Sequence, residues 1–438
     1  MYINPKKRNL TISNKLLKNA KNKIPALTQT LSKGPSQFVQ GIAPIYVERG
    51  EGCHIWDVDG NKYIDLMMGL WSVTLGYGFK EVVDEICKQA KKGQNLSLMH
   101  PLEIEVADLL LDLNPWADMV RFGKNGSDVT TAAVKGARAL TGRKIIARCS
   151  GSYHGWHDWY NCHTERNLGV PDINKELSLI FDFNNIESLE NLFNTHGSDI
   201  ACVIMEGMTT TYPIKGFLEK VEKLTHKNGS VLILDEIING FRFSTGGTRE
   251  FFSIDADIVT YGKGISNGSP LSAIVGKKEF MNILDEVFFS FTFGGEPVSL
   301  AAAKASLEAT KKYNTVDHLW KIGTELQEEF TKIIRNYSLE NVIKPQGSPV
   351  RTVLGFYNPD NNKFDYEIKS LFQQEILKRG ILIAGSHALS FSHKAEHISY
   401  ILEAYDDACN IIKGALETGS VLKQIEGDVI TPILTRPN

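Results

Sequence analysis

The chain has 438 residues, more than one ordinary core holds, so two lobes are expected. Its 42% hydrophobic and 23% charged residues are the mix of a folded globular protein, and a net charge of −3 gives no pull toward nucleic acid or acidic membrane. Six scattered cysteines without a C-x-x-C pair argue against a disulfide framework or a zinc site; with no secretory h-region and no membrane-length apolar run, a cytoplasmic protein with free thiols is expected.

Residues 1 to about 33 are polar and rich in Lys and Asn, which suits a helical arm or a loose tail. The cluster Asp59-Gly60-Asn61 lies between apolar runs and predicts a hairpin turn. The stretch 67–76 is mostly apolar and contains Trp71. Helical spacing predicts helices over 81–91 and 103–112.

From there strands and helices alternate. Met119 to Phe122 predicts a strand, 123–127 a loop, and Val129, Ala132, Ala133, Gly136, Ala137 and Leu140 a helix capped by Ser127 or Asp128. Further strands are expected at 144–147, 200–205 and 230–234, and an alanine-rich helix at 298–309. That alternation indicates an α/β fold with a mainly parallel sheet. Strands at 351–356 and 381–384 and a long helix at 396–417 read as a second lobe. The expected division is an N-terminal segment 1–74 belonging to the small domain, a large domain 75–325, and a C-terminal part of the small α+β domain, 326–438.

Four stretches of the large domain invite chemistry. Gly126 and Ser127 open a helix, where unpaired N–H groups form an anion site; ordinary capping is the other reading. The loop has neither Walker nor G-x-G-x-x-G spacing. Asp235, with Glu236, ends an apolar strand, where α/β sheets place ligands; capping or a Walker B-like metal role are the alternatives. Around Tyr153, His154 and His157, aromatics alternate with glycine, which suits a flat ligand better than a metal. Lys263 lies between two glycines in the loop after the next strand, either as a solvated charge or as an amine open to a bulky group. A lysine to hold an aldehyde as a Schiff base, an acid for a ring nitrogen, an aromatic face and a phosphate cradle together suit pyridoxal 5'-phosphate.

From about residue 40 to 415 these stretches, in order, resemble the class III, fold type I, pyridoxal-phosphate aminotransferases. They are Trp56 to Asp65, Gly126-Ser127-Asp128, Tyr153-His154-Gly155, Asp235 to Arg242 and Tyr261-Gly262-Lys263-Gly264. The similar branch is the one that includes glutamate-1-semialdehyde 2,1-aminomutase. The resemblance implies that Lys263 forms the Schiff base, Asp235 binds the ring nitrogen, Tyr153 and Ile237 cover its two faces, and Gly126 and Ser127 hold the phosphate. It implies that Glu206 lies near the cofactor. It also implies that Thr292, within 290–297, reaches the phosphate of a neighbouring subunit in a homodimer.

The chain departs from the aminomutase branch at two places. Gln37 stands where a Ser-Pro-x-Arg segment would supply an arginine for a substrate carboxylate, and 384–390 is shorter and lacks a glutamate. An amide does not replace a bidentate guanidinium. The expected activity is therefore a ping-pong aminotransferase moving an amino group from an amino acid donor to an aldehyde or ketone, including a sugar-type acceptor. The alternatives are the aminomutase itself and a catalytically silent binding or regulatory subunit. Trp71, Arg351 and His387 are the candidate substrate contacts.

Overall fold

A computed structural model describes residue 6 and residues 8–431; of the expected N-terminal arm, residues 1–5 and 7 lie outside it. The chain folds as two compact units. One joins the N-terminal residues through Phe79 to the stretch from Asp317 onward, and the other is Lys80–Val316. The boundaries of these units are 79/80 and 316/317, where the sequence reading set 74/75 and 325/326. No helix among the described residues is long and apolar enough to cross a membrane.

In the first unit the arm forms the helix Thr11–Ala20. Strands β1 (Val47–Glu51), β2 (His54–Asp57) and β3 (Lys62–Asp65) follow, with the expected turn joining β2 to β3. Asp57 fixes that turn by accepting the N–H groups of Asp59 and Asn61.

The Lys80–Val316 unit holds a seven-stranded sheet. Its strands are β4 (Met119–Gly123), β5 (Ile145–Cys149), β6 (Ser178–Phe181), β7 (Ile200–Met205), β8 (Val231–Asp235), β9 (Ile258–Tyr261) and β10 (Ser272–Gly276). Their order is β4-β10-β9-β8-β7-β5-β6, and β10 alone is antiparallel to its neighbours. Strand β6, four residues at the sheet's edge, was not expected.

Every residue of β7 and β8 is buried, as a strand covered on both faces requires. Alternate residues serve two cores. Val203, Met205, Leu232 and Leu234 pack with Val106, Leu110, Leu300 and Leu307, from the helices Leu102–Leu113 and Pro297–Lys312. Cys202, Ile204, Val231 and Ile233 pack with Ala132, Ala133 and Ala137, from the helix Gly126–Thr141. A one-residue slip of either strand would exchange the two sets.

The chain returns to the first unit with the helix Thr315–Asn336 and strands β11 (Ile343–Ser348), β12 (Arg351–Phe356), β13 (Ile381–Leu382) and β14 (Ser386–His387). Strand β13 lies parallel to β3, so both ends of the chain build one sheet, and β12 joins β11 and β14 in another. The helices Tyr366–Lys378 and Ala395–Glu417 pack together. Ala384, expected in a strand, lies beyond β13.

Candidate active site

The C-terminal ends of β4, β5, β7, β8 and β9 meet along one edge of the large sheet, where open α/β sheets bind ligands. Register sets the heights there. Asp235 pairs with Thr260, so the carboxylate stands level with the end of β9, three residues before Lys263. Leu234 pairs with Met205, which brings Glu206 to the same level on the other side.

The loop after β4 is held from several sides. Asn125, not Ser127 or Asp128, is the N-cap: its side chain accepts the Asp128 N–H. Asp128, one turn in, accepts the N–H groups of Lys124 and Asn125 at 2.9 and 3.0 Å. The Ser272 hydroxyl donates to the Asn125 carbonyl at 2.8 Å. Ser127 is thus spared from capping; its Oγ accepts the Trp156 N–H at 3.2 Å, and its O–H can still donate. The N–H groups of Gly126 and Ser127 lie in the first helical turn, which has no acceptor inside the helix.

Asp235 is buried, 3% exposed. Its Oδ1 accepts the Ile237 N–H at 3.0 Å and its Oδ2 lies 2.7 Å from His154 Nδ1. A carboxylate only accepts, so Nδ1 carries the proton. His154 is in turn fixed: its ring stacks on Trp159, its carbonyl accepts the Thr130 hydroxyl, and its buried Nε2 has no hydrogen-bond partner among the described residues. This pairing was not read from the sequence, where His154 figured in the aromatic loop and in a metal reading but not as a partner of Asp235. Its signal was an adjacent aromatic and histidine after one strand and an acid ending another.

The metal and nucleotide readings lose their geometry. Glu236 turns away from Asp235; its Oε1 accepts the Thr248 hydroxyl and the Arg249 N–H, capping a short helix. Burial pushes its carboxyl up to about 7. His157 bonds to Thr131, so the two histidines do not converge. In the other unit, donor atoms of Cys53, His54 and His397 lie within 4.8 Å of one another. There His397 Nδ1 already accepts the Lys394 N–H, so its neutral ring would have to shed its other proton to bind a metal.

At the sheet edge Ile237 packs directly against two glycines. A Cβ added at Gly126 would lie 2.9 Å from Ile237 Cδ1, and one at Gly262 would lie 3.0 Å from it. Both glycines leave the Ile237 side chain uncovered by a neighbouring Cβ. Gly155, at φ +122°, presses on Ser127, where a Cβ would lie 2.5 Å from Oγ. Tyr153 is half exposed, its ring edge-on to Tyr160. Burial and then the charge of Asp235 raise its phenol, so it stands in that carboxylate's field. Lys263 takes φ +40°, a strained conformation for a residue with a Cβ. Thr292 is exposed. The donor set fits pyridoxal phosphate: a helix start that presents N–H groups, a buried acid, an aromatic ring and an amine.

The candidate substrate contacts lie in the other unit. Trp71 belongs to a segment, Met68–Trp71, with positive φ at all four residues, and it packs against the cluster of Met68, Val73 and Ala388. The alternative reading of Arg351 as a surface charge fails, because it is buried on β12. His387 is also buried, bonded to the Tyr405 hydroxyl at 2.9 Å and stacked on its ring. Burial lowers it to about 3. It packs the core and is not retained as a substrate contact. Gln37 Nε2 points at the Thr431 carbonyl, 3.5 Å away, while its own carbonyl accepts from Gln373.

A mainly parallel sheet with an acid, a lysine and an anion-binding helix start along one edge defines a pyridoxal-phosphate type of site. The family model for class III aminotransferases matches residues 37–416, and the chain belongs to that family. It is a pyridoxal-phosphate-dependent aminotransferase. The glutamate-1-semialdehyde 2,1-aminomutase of Sulfurihydrogenibium azorense is 32% identical over 83% of this chain and 90% of its own. The 3-aminobutyryl-CoA aminotransferase of Cloacimonas acidaminovorans is 30% identical over 94% of this chain and 99% of its own. Among solved structures, the FumI protein of Sphingopyxis sp. MTA144, in a form carrying pyridoxal phosphate, superposes with a TM-score of 0.85 at 25% identity. That match covers 93% of this chain and 97% of that one.

Proposed function

We propose that this aminotransferase passes an amino group between two separate substrates in a ping-pong cycle, and that its acceptor lacks the free carboxylate that the aminomutase branch grips with an arginine. The single observation behind this is Gln37 itself, a neutral amide at the position in the sequence where that branch carries the arginine. An acceptor of sugar type fits, as does one whose carboxyl is masked. The similarity to a 3-aminobutyryl-CoA aminotransferase supports the second form, because a thioester masks that carboxyl. The enzyme works in the cytoplasm as a homodimer.

Pyridoxal phosphate, when bound, supplies an aldehyde for amine exchange and a ring that draws electrons from the substrate carbon. Gly126 and Ser127 donate to its phosphate, and Thr292 serves the phosphate of the partner subunit. Asp235, held by His154 and the Ile237 N–H, would bind the ring nitrogen in its protonated form. Tyr153 and Ile237 cover the ring, and Glu206 borders it. Lys263 holds the cofactor covalently through Nζ. The Lys263 amine, when free, would carry a proton to and from the substrate carbon.

The aminomutase reading has its own support in the 32% identity to such enzymes. Borohydride reduction followed by peptide mapping should find the cofactor on Lys263; a different labelled lysine overturns the assignment. A screen of amino donors and carbonyl acceptors with product identification then separates the activities. Turnover of a donor with a separate aldehyde or ketone supports the transferase, whereas reaction with glutamate-1-semialdehyde alone establishes the aminomutase.

A further inference from the structure

The anion-binding loop after β4 is lashed to a second segment, 284–296, which lies far from it in sequence. Arg121, on β4, donates to the carbonyls of Leu284 and Phe289, both at 2.8 Å, and its guanidinium faces the Phe289 ring. Lys124, the first residue after β4, places its ammonium 3.0 Å from Glu296 Oε2, and both side chains are about 15% exposed.

Glu296 is committed on both sides. Besides Lys124 it accepts the N–H groups of Val298 and Ser299 and so caps the helix Pro297–Lys312. Burial works to raise its carboxyl, but the bonds from Ser299 and Lys124 hold it below the usual range. Removing one partner of such a pair leaves the other charge poorly solvated.

Between these anchors the chain turns outward. Phe288 is 87% exposed and Phe293 56%, with Thr292 exposed beside it. Gly295 lies against Glu103, where a Cβ would be 2.6 Å from the carboxylate.

We propose that Lys124 is a positioning residue that acts on the partner subunit's cofactor site: through Glu296 it sets the segment carrying Thr292, while its own loop forms the phosphate site of its own subunit. This rests on the homodimer and on the role of Thr292 proposed above. Each loop then governs two sites, its own directly and the partner's through Glu296 and Thr292.

The test uses mixed dimers purified through two different tags. One chain carries Lys263→Ala, so covalently held cofactor can reside only in the other chain's site. Lys124→Met is placed on either chain, and release of pyridoxal phosphate from the Lys263 site is followed by loss of its visible absorbance. With Lys124→Met on the Lys263→Ala chain, release should quicken about fivefold or more, a typical coupling between sites. Lys124→Arg on that chain should restore the original rate. An effect confined to Lys124→Met on the Lys263-bearing chain marks a merely local role and overturns the proposal, as does no effect in either placement. Circular dichroism of each variant separates misfolding from these outcomes, and a Lys124→Met chain that misfolds while Lys124→Arg also fails to restore the rate counts against it. A wild-type protein that sediments as a monomer overturns the homodimer reading itself, and the trans effect with it, and is recognised before any mixing.

Discussion

At the residue scale the pairing of His154 with Asp235 decides how the acid behaves. Asp235 is almost wholly buried, and a buried polar group without hydrogen-bond donors is costly. It has two, the Ile237 N–H and His154 Nδ1. Replacing His154 by Leu removes the second while keeping an apolar body against Trp159. A hydrogen bond to a charged group contributes roughly 1.5–3 kcal/mol, so the half-reaction with an amino donor should slow by about 10- to 100-fold. Borohydride should still trap the cofactor on Lys263 in this variant. Single-turnover kinetics that match the wild type would show that His154 only fills space. The residues proposed to carry this chemistry are partly legible in the sequence. Asp235 and Lys263 each follow an apolar strand, and a charge in that position stands out in one dimension. His154 did not, because its partner lies 81 positions away.

At the scale of elements, periodicity made most strands and helices readable. The strands β7 and β8 are continuous apolar runs, and the helix Gly126–Thr141 repeats small apolar residues at helical spacing. What periodicity did not supply was the phase of the helix start. Asn125, Ser127 and Asp128 can all cap, and the choice fell to Asn125 because Asp128 reaches back to two N–H groups and Ser272 on β10 fixes the Asn125 carbonyl. Strand β6 escaped notice because four residues at a sheet edge carry little pattern. Two neighbouring substitutions distinguish capping from ligand binding. Asn125→Ala should lower stability by about 1 kcal/mol in a denaturant titration. Gly126→Ala places a methyl group against Ile237, the residue proposed to cover the ring, and should weaken pyridoxal phosphate binding well beyond its effect on stability. Equal losses of affinity in both variants would count against a cradle at Gly126.

At the scale of the whole molecule, one unit is assembled from both ends of the chain. Strand β13 takes β3 as its parallel partner, the Leu66 N–H donates to Leu382, and the Ala388 N–H donates to Leu66. A chain lacking residues 1–66 leaves Ile381 and Leu382, both buried in the intact fold, without that cover. It should give little soluble protein, and amides of 381–388 should lose their protection from hydrogen exchange. Full protection in the truncated chain would show that the C-terminal part folds without its partner strand.

The sequence by itself determined the α/β class, the mainly parallel sheet and the residues that suit one cofactor, because apolar runs, helical spacing and charges after strands are local patterns. Only the tertiary structure decided which of those residues meet. Strand register set Asp235 level with the end of β9, packing withdrew His387 into the core, and the ion pair of Lys124 with Glu296 joined two segments 172 residues apart. Such pairings depend on how strands align and how side chains fill space, which no local pattern contains.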